Sequence, residues 1–196
     1  MCLILIAWQA HPDYPLVVAA NRDEFFARPT AAAAFWPDAP QVLAGRDLEA
    51  GGTWLGASRQ RRFAAVTNYR EGGRQRVDAR SRGALVADFL TSRASPVAYL
   101  TQLETSAAEY NGFNLVVGDG ESLAYYSNRG DGQPRWLKPG LYGLSNHLLD
   151  TPWPKLASAK AAFAAALLAL PAKDLFLDLL ADQEIVPDTH LPETGV

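Results

Sequence analysis

The sequence predicts an α+β fold: two mainly antiparallel sheets, each faced by a pair of helices, in a four-layer α/β/β/α sandwich. Three observations carry this reading. Strand-like and helix-like segments come in long separate runs (many strands, two helices, more strands, two helices) rather than in βαβ alternation. The strands are apolar enough to need burial, which two helix-covered sheets supply. The chain has 196 residues, 48% of them hydrophobic, enough for one domain over residues 1–196 with a full core.

Each element has a local signal. Cys2–Trp8 (CLILIAW) is a continuous apolar run with β-branched members and reads as a buried strand. HPDYP then punctuates a turn, and Leu16–Ala20 forms the second strand of a hairpin. That strand ends in four polar residues, Asn21-Arg22-Asp23-Glu24, and an Ala/Pro-rich stretch to about Pro40 reads as a loop. Val42–Gly45, Trp54–Ala57 and Phe63–Asn68 continue as an antiparallel meander. Ser81–Thr91 and Ser95–Tyr110 have helical spacing, the latter with Ser95 as N-cap and Pro96 at the first helical position. Phe113–Val117 and Leu123–Tyr126 flank a Gly-Asp-Gly turn, and Leu141–Ser145 is a further strand. Helices follow at Lys155–Leu170, ended by Pro171, and at Asp174–Ala181; the Pro-rich tail from Ile185 reads as irregular.

Composition removes several function classes. A net charge of -3 offers no basic field for nucleic acid. The arginines at 59, 61 and 62, and from 70 to 82, read either as a solvated loop or as an anion-binding patch. Cys2 is the only cysteine, so a disulfide framework or cysteine-rich metal site is excluded. His11, His147 and His190 lack metal-ligand spacing, and no metal is expected. No apolar stretch is long enough for a transmembrane segment, and a lone thiol with no signal-peptide pattern fits the cytoplasm.

The chemistry converges on Cys2. Removal of Met1 would place a thiol and a free α-amine on one residue. That amine, with a reference pKa of about 8, can serve as base for the thiol. Asn21 to Glu24 would lie near Cys2 across the hairpin. Asn68 and Asn146 end predicted core strands, and their amides donate hydrogen bonds without charge, as an oxyanion hole requires. Against this stand ordinary structural readings: Cys2 as a small buried hydrophobe, the polar cluster as an ion-paired turn, and each asparagine as a strand-end residue.

The strings ANRDEFFARPT, LAGRDLEAGGTWLG, VTNYR, YNGFNLVVGD and GLSNHLLDTPWPK, in this order, resemble the NRDE family, which includes the transport and Golgi organisation 2 proteins. The resemblance covers nearly the whole chain. It implies an N-terminal nucleophile (Ntn) hydrolase fold similar in layout to penicillin V acylases and conjugated bile acid hydrolases. Cys2 falls on the nucleophile, Asn68 on an oxyanion-hole position, and Asn146 on the asparagine that binds the intermediate. Arg22 and Asp23 would orient the α-amine; they match by type and not by register, since the acylases space this pair three apart. The resemblance also implies a further C-terminal strand bearing Gly-Thr-Arg, which these 196 residues do not include. Two functions follow as expectations. One is a cysteine amidohydrolase or acyl-transfer catalyst for a small amide or thioester, with no cofactor required. The other is a non-enzymatic haem or lipid/acyl-chain binding and trafficking protein, with Cys2 as a possible thiolate ligand to haem.

Overall fold

The computed structural model describes residues 2–72 and 75–181. These form two compact units, residues 2–23 with 138–181, and residues 24–72 with 75–137. The predicted tail from Ile185 and His190 lie outside the described residues.

The first unit holds a three-stranded antiparallel sheet. Its central strand β1 (Leu3–Trp8) lies between β2 (Leu16–Asn21) and β10 (Gly140–Leu144). All six residues of β1 are buried, which explains the unbroken apolar run: both faces of the strand are covered. Leu3, Leu5 and Ala7 pack with Trp153, Leu156, Phe163 and Phe176 from helices α3 (Pro154–Leu167) and α4 (Asp174–Leu180) and from the residue preceding α3. At Gly143 of β10, a Cβ would lie 2.7 Å from Leu156 Cδ1, so glycine lets the first turn of α3 sit close to the sheet. Helix α3 ends at Leu167, three residues before the predicted end, where tighter i→i−3 bonds from Leu168 and Ala169 close the last turn.

The second unit is an antiparallel meander of seven strands in sequence order. They are β3 (Thr30–Trp36), β4 (Ala39–Asp47), β5 (Leu55–Ser58), β6 (Phe63–Asn68), β7 (Phe113–Gly118), β8 (Leu123–Ser127) and β9 (Arg135–Trp136). Helices α1 (Arg82–Thr91) and α2 (Pro96–Glu104) supply Leu85, Val86, Phe89, Leu90, Leu100 and Leu103 to the core beside this sheet. Ser95 caps α2 by accepting from the Ala98 amide, as predicted. The helix stops well before Tyr110, because the hydroxyls of Thr105 and Ser106 donate back to the carbonyls of Gln102 and Leu103.

Two expectations are corrected here. The Ala-rich stretch taken for a loop contains β3, an edge strand paired with β4 through two register shifts. Alanine is a weak strand former, so pairing with β4 rather than local preference builds this strand. Arg62 belongs neither to a solvated loop nor to an anion patch. It is buried against the Phe89 ring at 3.9 Å and donates to the carbonyls of Phe89 and Ala94 and to Ser92 Oγ. Burial pulls its guanidinium below the usual arginine range, opposed by the nearby Asp119. Further along, Arg76 and Arg82 donate to the carbonyls of Ala108 and Gly112, and Arg80 pairs with Glu109, so part of the second arginine run anchors its own segment.

Candidate active site

The strand register of the first unit frames Cys2. On one side Ile4 pairs with Leu144, and two further steps bring Cys2 opposite Asn146. On the other, Leu3 pairs with Asn21, and one further step brings Cys2 opposite Arg22. The ladder itself stops at Leu3, and side chains take over its hydrogen bonds. The Cys2 N–H donates to Asn146 Oδ1 at 3.1 Å, and Ser145 Oγ donates to the Cys2 carbonyl at 2.7 Å. Both polar groups of the Cys2 backbone are thus fixed by the two residues that follow β10. All three residues are buried, Cys2 at 9% exposure. Because the Cys2 nitrogen is a donor here, the Asn146 oxygen faces it, and the donor end of the amide, Nδ2, is the opposite arm.

The segment carrying Asn146 is itself held in place. Asp150 has φ of 58°, and its N–H donates to the Gly143 carbonyl while its Oδ1 accepts from the Gly143 amide at 2.8 Å. Lys160 of α3 donates to the same carboxylate oxygen at 2.6 Å. Thr151 gives its hydroxyl proton to the Leu148 carbonyl, so the 2.9 Å contact between His147 Nδ1 and Thr151 Oγ1 requires Nδ1 to carry the proton. His147 is thereby tied to Thr151 within the same segment. Its ring lies 6.3 Å from that of Trp153, centroid to centroid.

Cys2, Leu3, Ser145, Trp153, Lys155 and Leu156 line a pocket with about 10 Å³ of space for a water-sized molecule. Trp153 is the N-cap residue of α3 and is 4% exposed. Among the described residues, its Nε1 is a buried donor that meets no acceptor. Ser145 and Lys155 escaped sequence reasoning. Their signal lay in the LSN and PWPK strings: a strand end followed by a proline-flanked start of a helix.

The other candidates are placed as follows. Arg22 is half-buried one step past β2, and Asp23 next to it is exposed. Asn68 ends β6 in the second unit, opposite Phe113, and is exposed. Cys2 and Asn146 are brought into direct contact, with Arg22 beside them by register. Among the described residues no cluster of His, Cys, Asp or Glu could hold a metal ion.

This geometry can be set beside known proteins. The family model for Transport and Golgi organisation 2 matches residues 1–195. The chain belongs to the Transport and Golgi organisation 2 family. The mouse homologue of that name is 43% identical over 211 aligned positions, covering 100% of this chain and 76% of the relative. The human homologue is 41% identical with the same coverage. Among solved structures, the Caenorhabditis elegans orthologue of N-acylethanolamine-hydrolyzing acid amidase superposes with a TM-score of 0.60 over 99% of this chain and 95% of that one, at 10% identity. That similarity shows the fold: this Transport and Golgi organisation 2 family member has the α+β Ntn-hydrolase fold predicted from the sequence. No described helix is long and apolar enough to cross a membrane.

Proposed function

We propose that, once Met1 is removed, Cys2 acts as an N-terminal nucleophile for hydrolysis or acyl transfer on a small amide or thioester. The observation that carries this reading is the anchoring of Cys2 at both backbone groups, with its nitrogen 3.1 Å from Asn146 Oδ1. A nucleophile gains from such fixing because misplacement of the reacting atom is costly in rate.

In this reading the free α-amine takes the thiol proton, directly or through one water, and the thiolate attacks the acyl carbon. The resulting oxyanion is stabilised by the Nδ2 donor end of Asn146. The α-ammonium returns the proton to the leaving amine or thiol as the C–N or C–S bond breaks, leaving a thioester on Cys2. Water, or an acceptor nucleophile, then displaces the thiol. Arg22 and Asp23 orient the amine from the β2 side. The acid-amidase name of the structural neighbour supports an amide as one substrate class. No step calls for a metal or cofactor.

The test is intact mass after incubation with acyl thioesters and N-acyl amides. The expected product is a single acyl adduct on a chain that begins at Cys2, absent in Cys2→Ala. A chain that begins at Cys2 and takes no acyl group from any donor rejects the reading. If such a chain instead gives a Soret shift with haem that disappears in Cys2→Ala, it is a carrier rather than a catalyst.

A further inference from the structure

Asp150 takes no part in the chemistry above, yet it keeps a conformation that L residues seldom adopt. Its φ of 58° lies in the left-handed region, which glycine enters freely and aspartate less readily. Strain of this kind persists where surrounding contacts over-determine it, and here those contacts run through the carboxylate. The Asp150 N–H donates to the Gly143 carbonyl at 2.8 Å, and Asp150 Oδ1 accepts from the Gly143 N–H at 2.8 Å. β10 is an edge strand with β1 on one side only, so Asp150 serves as the partner that Gly143 lacks on the other. Lys160 Nζ donates to the same carboxylate oxygen at 2.6 Å. Its stem crosses Gly143, where a Cβ would lie 3.1 Å from Lys160 Cδ. One carboxylate therefore fastens β10 to the middle of α3. Gly143 precedes Asn146 by three positions and Asp150 follows it by four, so both ends of this short segment close on that carboxylate. Asn146 lies between them, with its Oδ1 3.1 Å from the Cys2 nitrogen. Glycine would suit the turn better than aspartate does, but it would leave the Gly143 N–H without this acceptor.

We infer that Asp150, held by Lys160, is a positioning residue that sets Asn146 against Cys2. Both act through Asn146 rather than on the reacting atoms. The consequence for rate rests on the catalytic reading above; the Asn146–Cys2 contact itself does not. A displacement of about 1 Å in a site can cost roughly 10²-fold in rate, so loosening this segment would be felt at the Cys2 sulfur.

The test compares the parent with Asp150→Gly, Asn146→Ala and the double variant. S-phenyl thioacetate is the probe: the Cys2 Sγ–C bond forms, the carbon–sulfur bond to thiophenol breaks, and the thiol proton leaves with the thiophenol. Intact mass follows the acetyl adduct. Asp150→Gly should slow acetylation about 10–100-fold while keeping the parent's circular dichroism, because glycine is at ease at this φ. In the Asn146→Ala background the same change should slow it by less than about threefold, since the group that Asp150 positions is already gone. Asp150→Asn keeps an oxygen for the Gly143 N–H and tolerates the left-handed region, so it should return to within about fivefold of the parent. An Asp150→Gly protein that reacts at the parent's rate overturns the inference, and so does equal slowing in both backgrounds. If Asp150→Gly does not fold, Lys160→Met takes its place, with a smaller slowing and the same loss of effect beside Asn146→Ala. A parent that reacts no faster than its urea-unfolded chain removes the catalytic reading, and the melting temperatures then decide. Shifts for Asp150→Gly and Asn146→Ala that add fully in the double variant overturn the positioning role; a combined shift clearly short of the sum supports it.

Discussion

Replacing Asn146 with alanine removes the acceptor that faces the Cys2 N–H at 3.1 Å in a site where both residues are buried. Water has little access, so the Cys2 donor is left unsatisfied at a cost of about 1–3 kcal/mol. For a chain of this length each kcal/mol moves Tm by roughly 2–4 °C, giving an expected fall of about 2–12 °C. Asn146→Asp keeps an oxygen acceptor toward Cys2 N and should recover at least half of that loss. It lacks the Nδ2 donors, so the adduct-forming rate should fall in both variants, by about 10²–10³-fold if Asn146 is an oxyanion donor. Thermal unfolding followed by circular dichroism measures the first effect, and mass-detected acylation the second. An alanine variant melting within about 1 °C of the parent would refute the claim that Asn146 anchors the start of β1.

Other expectations follow from the same reasoning. Arg62→Lys should lower stability by about 1.5–3 kcal/mol in urea unfolding, because an ammonium cannot reach three acceptors while stacking on Phe89. A denaturation midpoint equal to the parent's would show that the guanidinium is not structural. In Gly52→Ala the new Cβ would lie 2.4 Å from the Gly83 backbone at the start of α1, and a loss of about 1–3 kcal/mol should appear in the same assay. Asp47 is half-buried, which alone raises a carboxyl, but Arg28 and the amides of Ala50 and Glu49 bond to it and hold it below the usual carboxylate range overall. A depressed folded pKa adds stability above the unfolded value and loses it as pH falls through the folded one. The stability difference between the parent and Asp47→Asn should therefore be constant near neutrality and shrink below about pH 4; a difference that persists unchanged into acid would contradict the ion pair.

Much of this arrangement was legible in the residues. The apolar run of β1, the proline-punctuated hairpin and the Ser95-Pro96 helix start are local signals, and local chemistry produces them. The pairing of Cys2 with Asn146 is another matter. The two lie 144 positions apart, and their contact follows from the register of β1 with β10, which no local pattern reports. Strand β3 was hidden because a run of alanines takes its conformation from its partner. Arg62 looked like one charge in a basic loop; only the carbonyls at the end of α1 and just beyond it reveal why it is buried. For Trp153, nothing in the sequence says that its N–H lacks an acceptor.

The central claim is that Cys2 works as the first residue of the mature chain, its α-amine serving its own thiol. The mass of the N-terminal peptide from protein purified out of its native cell tests this most directly. The account predicts a peptide beginning Cys2-Leu3-Ile4. A peptide that retains Met1 would contradict it, since the nitrogen facing Asn146 would then be an amide with no basic lone pair to offer.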